Sequence, residues 1–178
     1  MIKKIIITGG LGYIGTELCK IYSGVSWHHK IIVIDNRFIS ERVNQIRNWN
    51  MEFIQGDILN KELVKKYFSD ADIVHHLAGV TDVPRTKSES TEEKDKKIKE
   101  VGEIGTKNIL DTISKKCKII FPSTHVIYEG ISEVKKDIKE EEVPKPILSY
   151  SSSKAINEKQ LKDSGKNFII LRLGSVYG

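Results

Sequence analysis

The chain has 178 residues, 39% apolar and 30% charged, with a formal net charge of +5. That is the make-up of an ordinary globular protein with room for one real core, and no apolar run is long enough to span a bilayer. Lysines scattered among glutamates, as in "ESTEEKDKKIKE", lack the basic clusters with interleaved aromatics expected of a nucleic-acid binder, so no nucleic-acid or membrane partner is expected.

The N-terminus, "MIKKIIITGG", resembles a secretion signal only until Thr8 and Gly9 interrupt the apolar run, so residues 3–8 read as a strand. A glycine cluster follows, then a helix with Ile14, Leu18 and Ile21 at i, i+4, i+7 spacing. Strands are expected at 30–35 and 51–56, a helix in "NKELVKKYF" with Leu63, Val64 and Tyr67 on one side, and a strand at 72–78. A loop from Pro84 to Glu93 leads into a long helix over 92–115, carrying Ile98, Val101, Ile109 and Ile113. The strand at 117–123, a charged loop from Glu129 to Pro146, a helix near 150–163 with Ala155, Ile156 and Leu161, and a strand at 167–174 complete the order. The apolar runs are near-continuous, as in strands covered on both faces. Their alternation with helices predicts an α/β fold, a doubly wound parallel sheet with helices on both faces, in one domain over residues 1–178. Cys19 and Cys117 lie far apart without metal-type spacing; reduced thiols in the cytoplasm are expected, and no metal site.

In "IIITGGLGYIGTEL", Gly10, Gly12 and Gly15 read as G-x-G-x-x-G, and Thr8, Gly9, Gly12 and Gly15 as T-G-x-x-G-x-x-G. A glycine turn between the first strand and the first helix lets a phosphate meet bare backbone at a helix N-terminus. A Walker-type loop is set aside, because Thr16 stands where the lysine belongs. Asp35 closes the second strand, 35 − 15 = 20 positions after the last glycine. A carboxylate there accepts from ribose hydroxyls and repels a 2′-phosphate, which favours NAD over NADP; Arg37 pulls the other way. Asp57, after the third strand, could meet the adenine edge.

"SYSSSKAINE" sets Tyr150 and Lys154 at i, i+4, on one helix face. With this pair the chain resembles the extended short-chain dehydrogenase/reductase family, in particular its NAD-dependent sugar-nucleotide epimerases and dehydratases. "TGGLGYIG", "HHLAG", "FPSTHVIYEG", the Y-x-x-x-K and "LRLGSVYG" carry the likeness along nearly the whole chain. The resemblance implies a Rossmann-type fold and NAD contacts at Gly9, Gly12, Tyr13, Ile14, Gly15, Asp35, Asn36, Asp57, Ile58, Leu77, Ala78, Gly79, Tyr150 and Lys154. It also implies catalytic roles for Thr124, Tyr150 and Lys154. Tyr150 would be the base, Lys154 would lower its pKa and bind the nicotinamide ribose, and Thr124 would hydrogen-bond the reacting oxygen.

The chain departs from the family pattern at His125 and Val126, where dehydratases carry acids, at Gly102, where an asparagine helps order the site, and at Ser175, in place of a substrate-facing asparagine. The expected function is therefore an NAD-dependent sugar-nucleotide epimerase or reductase. A dehydratase, or a non-catalytic regulatory NAD(P)-binding protein of the same fold, is the alternative. Extended members carry a C-terminal substrate-binding portion after the sixth strand; none is visible here, and the chain alone is expected to be a poor enzyme. The partners implied are a nucleotide sugar and a second copy, paired through the 92–115 and Tyr150 helices.

Overall fold

The computed structural model describes residues 1–80, 86–133 and 137–177. Pro84, part of the loop from Glu129 to Pro146, and Gly178 lie outside the described residues. Six strands, β1 (Lys4–Thr8), β2 (Lys30–Asp35), β3 (Glu52–Gln55), β4 (Ile73–His76), β5 (Lys118–Thr124) and β6 (Asn167–Leu173), form one sheet in the order β3-β2-β1-β4-β5-β6. Every neighbouring pair is parallel. The doubly wound sheet expected from the alternating pattern is present. Strand order reverses between β1 and β4, where a parallel α/β sheet opens a crevice at its carboxyl edge.

Among the described residues six helices cover the sheet: α1 (Tyr13–Ser23), α2 (Ser40–Asn48), α3 (Lys61–Phe68), α4 (Glu92–Lys99), α5 (Gly105–Thr112) and α6 (Ser149–Asp163). Strand alternation feeds two cores. Ile5 and Ile7 point with Ile31 and Val33 toward Cys19 of α1 and Val43 and Ile46 of α2. Ile6, Ile32, Ile34, Val74, Ile119 and Phe121 face Phe68, Ile109 and Leu161 from α3, α5 and α6. Each such side chain, fully buried, is worth about 1.5–3 kcal/mol, so the sheet is held from both faces.

The structure corrects the expected pattern at three places. α1 packs through Gly15 and Cys19, while Ile14 and Ile21 of the anticipated stripe are exposed. Ile156 of α6 is likewise exposed, although Leu161 is buried. The run 92–115 is three pieces: α4, a π-turn at Glu100–Ile104, and α5. A π-turn leaves carbonyls without their usual partners. Here Asn157 Nδ2 donates to Gly102 O (3.0 Å) and Gln160 Nε2 to Glu103 O (3.1 Å), so α6 side chains brace the turn. Glycine at 102 permits that approach, since a Cβ there would overlap Ser153 Oγ. β6 is the sheet edge, with Ile169 and Leu171 exposed on it.

Candidate active site

The glycine turn joins β1 to α1 at the crevice. Gly9 has φ +65°, a left-handed backbone that favours glycine, and a Cβ on it would lie 2.8 Å from Ala78 N. A Cβ on Gly15 would lie 2.7 Å from Gly10 Cα and press on Gly9 O. Gly9 N donates to Ile34 O at 2.7 Å and Gly12 N to Gly9 O at 3.0 Å, which folds the turn flat onto β2. The helix starts at Tyr13 with Gly12 as N-cap, no side-chain cap and no acidic residue in its first turn. Such an end offers amides and a partial positive charge to an anion.

Asp35 lies beside this turn, buried at 4% exposure. Its Oδ2 accepts from Leu11 N (3.0 Å), and its Oδ1 from Arg37 N (3.0 Å) and Arg37 Nε (3.1 Å). The Arg37 guanidinium rests on this carboxylate. Asn36 is exposed next to it. The main-chain cradle and the strand-end carboxylate fit the pyrophosphate and adenosine ribose of a dinucleotide.

Across the switch point a cavity of about 210 Å³ opens, lined by Ile14, Leu77, Ala78, Gly79, Thr124, Tyr150 and Lys154 among others. The three expected catalytic residues and six of the expected cofactor residues, Tyr150 and Lys154 being both, thus share one wall system. Thr124 ends β5 and is 8% exposed; its Oγ1 accepts from Val126 N at 3.2 Å, capping the 3-10 turn His125–Tyr128. Tyr150 and Lys154 point in from the first turns of α6. Lys154 Nζ donates to Pro122 O (2.9 Å) and stands 4.4 Å from the centre of the Phe121 ring and 5.9 Å from that of Tyr150. Burial pushes its pKa down to about 8. Burial also raises the Tyr150 phenol above its ordinary value. The expected lowering of that phenol by Lys154 is not met in the free chain, because desolvation governs both groups.

Buried polar side chains support this wall. His76 Nδ1 lies 3.1 Å from Thr8 Oγ1 and its Nε2 2.9 Å from Thr106 Oγ1, while Ala78 N donates to Thr8 Oγ1 (3.0 Å). Thr8 donating to Nδ1 and Nε2–H donating to Thr106 satisfy every group with a neutral ring. Burial, with Lys154 nearby, pushes the His76 pKa down to about 3. Glu158, one helical turn beyond Lys154, is 2% exposed; it accepts from Ser123 Oγ (2.6 Å) and from Arg172 of β6 (2.7 Å).

Other expected residues land elsewhere. Ile58 is 3% exposed and belongs to the α3–α5 core, its side chain filling the space over Gly105. Asp57 Oδ1 accepts from Leu59 N at 2.9 Å, closing the turn after β3. Tyr13 is 54% exposed on α1. His125 does not line the cavity; its Nδ1 is 3.1 Å from Leu173 O, in a separate groove beside β6. Sequence reasoning passed over Asn157 and Glu158, whose signal was their i+3 and i+4 spacing from Lys154. Arg172 had no local signal.

The model of the NAD dependent epimerase/dehydratase family matches residues 5–178. A dTDP-D-glucose 4,6-dehydratase of Dictyostelium discoideum is 32% identical over 99% of this chain and 44% of its own length. A UDP-glucose 4-epimerase of Neisseria meningitidis serogroup C is 27% identical over 92% of the chain and 49% of its own. The chain thus spans about half the length of these relatives. The UDP-glucuronic acid 4-epimerase of Bacillus cereus, solved in complex with NAD, superposes with a TM-score of 0.80 at 27% identity, over 98% of this chain and 57% of that one. The glycine turn, the strand-end aspartate and the Tyr–Lys helix are thus set in a fold that these proteins share, and the chain belongs to the NAD dependent epimerase/dehydratase family.

Proposed function

We propose that this chain forms the NAD-binding and proton-transfer part of a sugar-nucleotide epimerase or reductase. The carrying observation is that Thr124, Tyr150 and Lys154 meet Ile14, Leu77 and Gly79 in one cavity beside the glycine turn. Gly9, Gly12 and Gly15 would take the pyrophosphate, Asp35 the adenosine ribose, and Lys154 the nicotinamide ribose. When bound, NAD supplies the hydride acceptor. The residues manage the proton: Thr124 hydrogen-bonds the sugar oxygen, and Tyr150 removes its hydrogen and later returns it.

In the free chain the phenol is a poor base, so its activation must come with ligands. Lys154, with a pKa near 8, is still mostly cationic at pH 7. Its ammonium, 5.9 Å from the centre of the Tyr150 ring, is placed to stabilise a phenolate once bound ligands shut out water. The alternative is a dehydratase, as in the Dictyostelium relative, with His125, whose Nδ1 donates to Leu173 O, at the position where dehydratases carry acids.

The sugar-nucleotide side of the site is expected beyond the sixth strand, and the exposed Ile169 and Leu171 support a covered β6 edge. Exposed Ile104 and Ile156, beside the α5–α6 packing, support the expected homodimer; Ile156→Glu should then yield monomers in sedimentation. Buried, unpaired Cys19 and Cys117 suit the expected cytoplasmic setting. The decisive experiment is Tyr150→Phe in a chain that turns over a nucleotide sugar. Turnover should vanish while NAD stays bound; a regulatory binder would show no turnover to lose, and retained turnover would mean another group takes the proton.

A further inference from the structure

The helix that carries Tyr150 and Lys154 begins without a cap of its own. Leu148 occupies its N-cap position with no side-chain acceptor, and its first turn holds no acidic residue. The acceptor comes from far back in the chain. Glu129 Oε1 accepts from Ile147 N at 2.7 Å, from Leu148 N at 2.8 Å, and from Ser151 Oγ. Ser151 is fully buried, and its Oγ is also 2.9 Å from Leu148 O; its single hydrogen is drawn to the charged oxygen.

Glu129 directly follows the 3-10 turn that Thr124 caps. The base of the intervening loop is tied as well, with Gly130 N donating to Lys145 O (2.8 Å) and Lys145 N to Ile127 O (2.9 Å). A continuous line therefore runs from the Thr124 hydroxyl, through the turn and the Glu129 carboxylate, to the residues flanking the Tyr150 phenol. Burial pushes the Glu129 carboxyl up, but the bonds from Ser151, Leu148 and Ile147 outweigh it and hold its pKa below the usual value. A carboxylate at this end also suits the helix dipole.

We propose that Glu129 is a positioning residue: its Oε1 anchors the start of α6 to the turn after β5 and so sets Tyr150 relative to Thr124. The proposal rests on the proton-transfer reading above, but its test does not require turnover. The probe is the whole protein labelled with ¹³Cζ-tyrosine, the Tyr150 signal being identified by its loss in Tyr150→Phe. In Glu129→Ala that signal should shift or split, and the Ile147 and Leu148 amides should exchange about tenfold faster. Glu129→Gln, which keeps an acceptor oxygen in place, should restore both. NAD should weaken by no more than about tenfold in the alanine variant, where only the α6 contacts of Tyr150 and Lys154 move and the glycine turn is built on other elements, while kcat falls about 100-fold there; the glutamine variant should keep both. If Glu129→Ala does not fold, Ser151→Ala, which removes one bond of three, should give a smaller shift in the same direction. An unmoved Tyr150 signal in the folded variants, or a glutamine variant as perturbed as the alanine one, overturns the proposal. Turnover surviving Tyr150→Phe removes the function reading instead, and leaves the anchor to be judged on the resonance.

Discussion

The two halves of the candidate site are built from different materials. The β1–β2 half is main chain: a flat glycine turn, the open end of α1, and one carboxylate already bonded to Leu11 N. The β4–β6 half is side chain, with His76 and Glu158 buried, Lys154 and Tyr150 half-buried, and all but the phenol held by a hydrogen-bond partner. Backbone geometry leaves the first half intolerant of volume. Burial of titratable groups makes the second half sensitive to volume and to pH.

Gly15→Val tests the first half most severely. The new Cβ would sit 2.7 Å from Gly10 Cα, which is backbone and cannot rotate away. Overpacking of this kind costs about 1–3 kcal/mol of stability. Displacing the turn should weaken NAD by at least about a hundredfold, near 3 kcal/mol. Calorimetric titration with NAD and a denaturant melt measure both. Full NAD affinity in Gly15→Val would place the pyrophosphate elsewhere and dissolve the contrast with Tyr150→Phe, which should keep NAD bound.

That contrast also explains what the sequence disclosed. Strand runs buried on both faces read clearly, so Lys30–Asp35 appears with its expected bounds and puts Asp35 at the strand end. The glycine turn and the Y-x-x-x-K are local patterns, and local patterns survive without knowledge of packing. α2 leaves little trace in the sequence, because "SERVNQIRN" offers only Val43 and Ile46 to the core. The orientation of α1 departs from its apolar spacing because Gly15 and Cys19, small residues, let the helix come close to the sheet, while the larger Ile14 and Ile21 are left outside. The state of the phenol and ammonium could not be read from spacing, since desolvation is set by Phe121, Pro122 and the packing around them.

Lys154→Met probes the second half through pH. Unfolded lysine holds its proton up to about 10.4, and the folded chain releases it near 8. Between those values the unfolded state binds more protons, so wild-type stability rises with pH there; below pH 8 the burial penalty is present in full. Methionine has no such penalty. Its stability relative to wild type should therefore be greatest at pH 7 and shrink by about 1–3 kcal/mol toward pH 10, as read by urea melts at the two pH values. A difference that stays constant with pH would mean that the ammonium is not desolvated in the folded chain.

The smallest expected effect lies within the first half, where Arg37 and a ribose compete for one carboxylate. Asp35 must offer its oxygens to ribose hydroxyls, yet Arg37 occupies Oδ1 through its N and Nε. The arginine side chain is 55% exposed, so the pair is screened and worth no more than about 1 kcal/mol. Arg37→Ala frees the carboxylate, and NAD should bind up to about fivefold more tightly. The same change removes the cation nearest a 2′-phosphate, so NADP should weaken and the NAD-to-NADP preference should rise. Asp35→Ala should do the reverse, weakening NAD and relaxing the preference. Competition titrations of the two dinucleotides read both ratios. If neither substitution moves them, the adenosine ribose does not lie at the end of β2, however well the glycine turn holds a pyrophosphate.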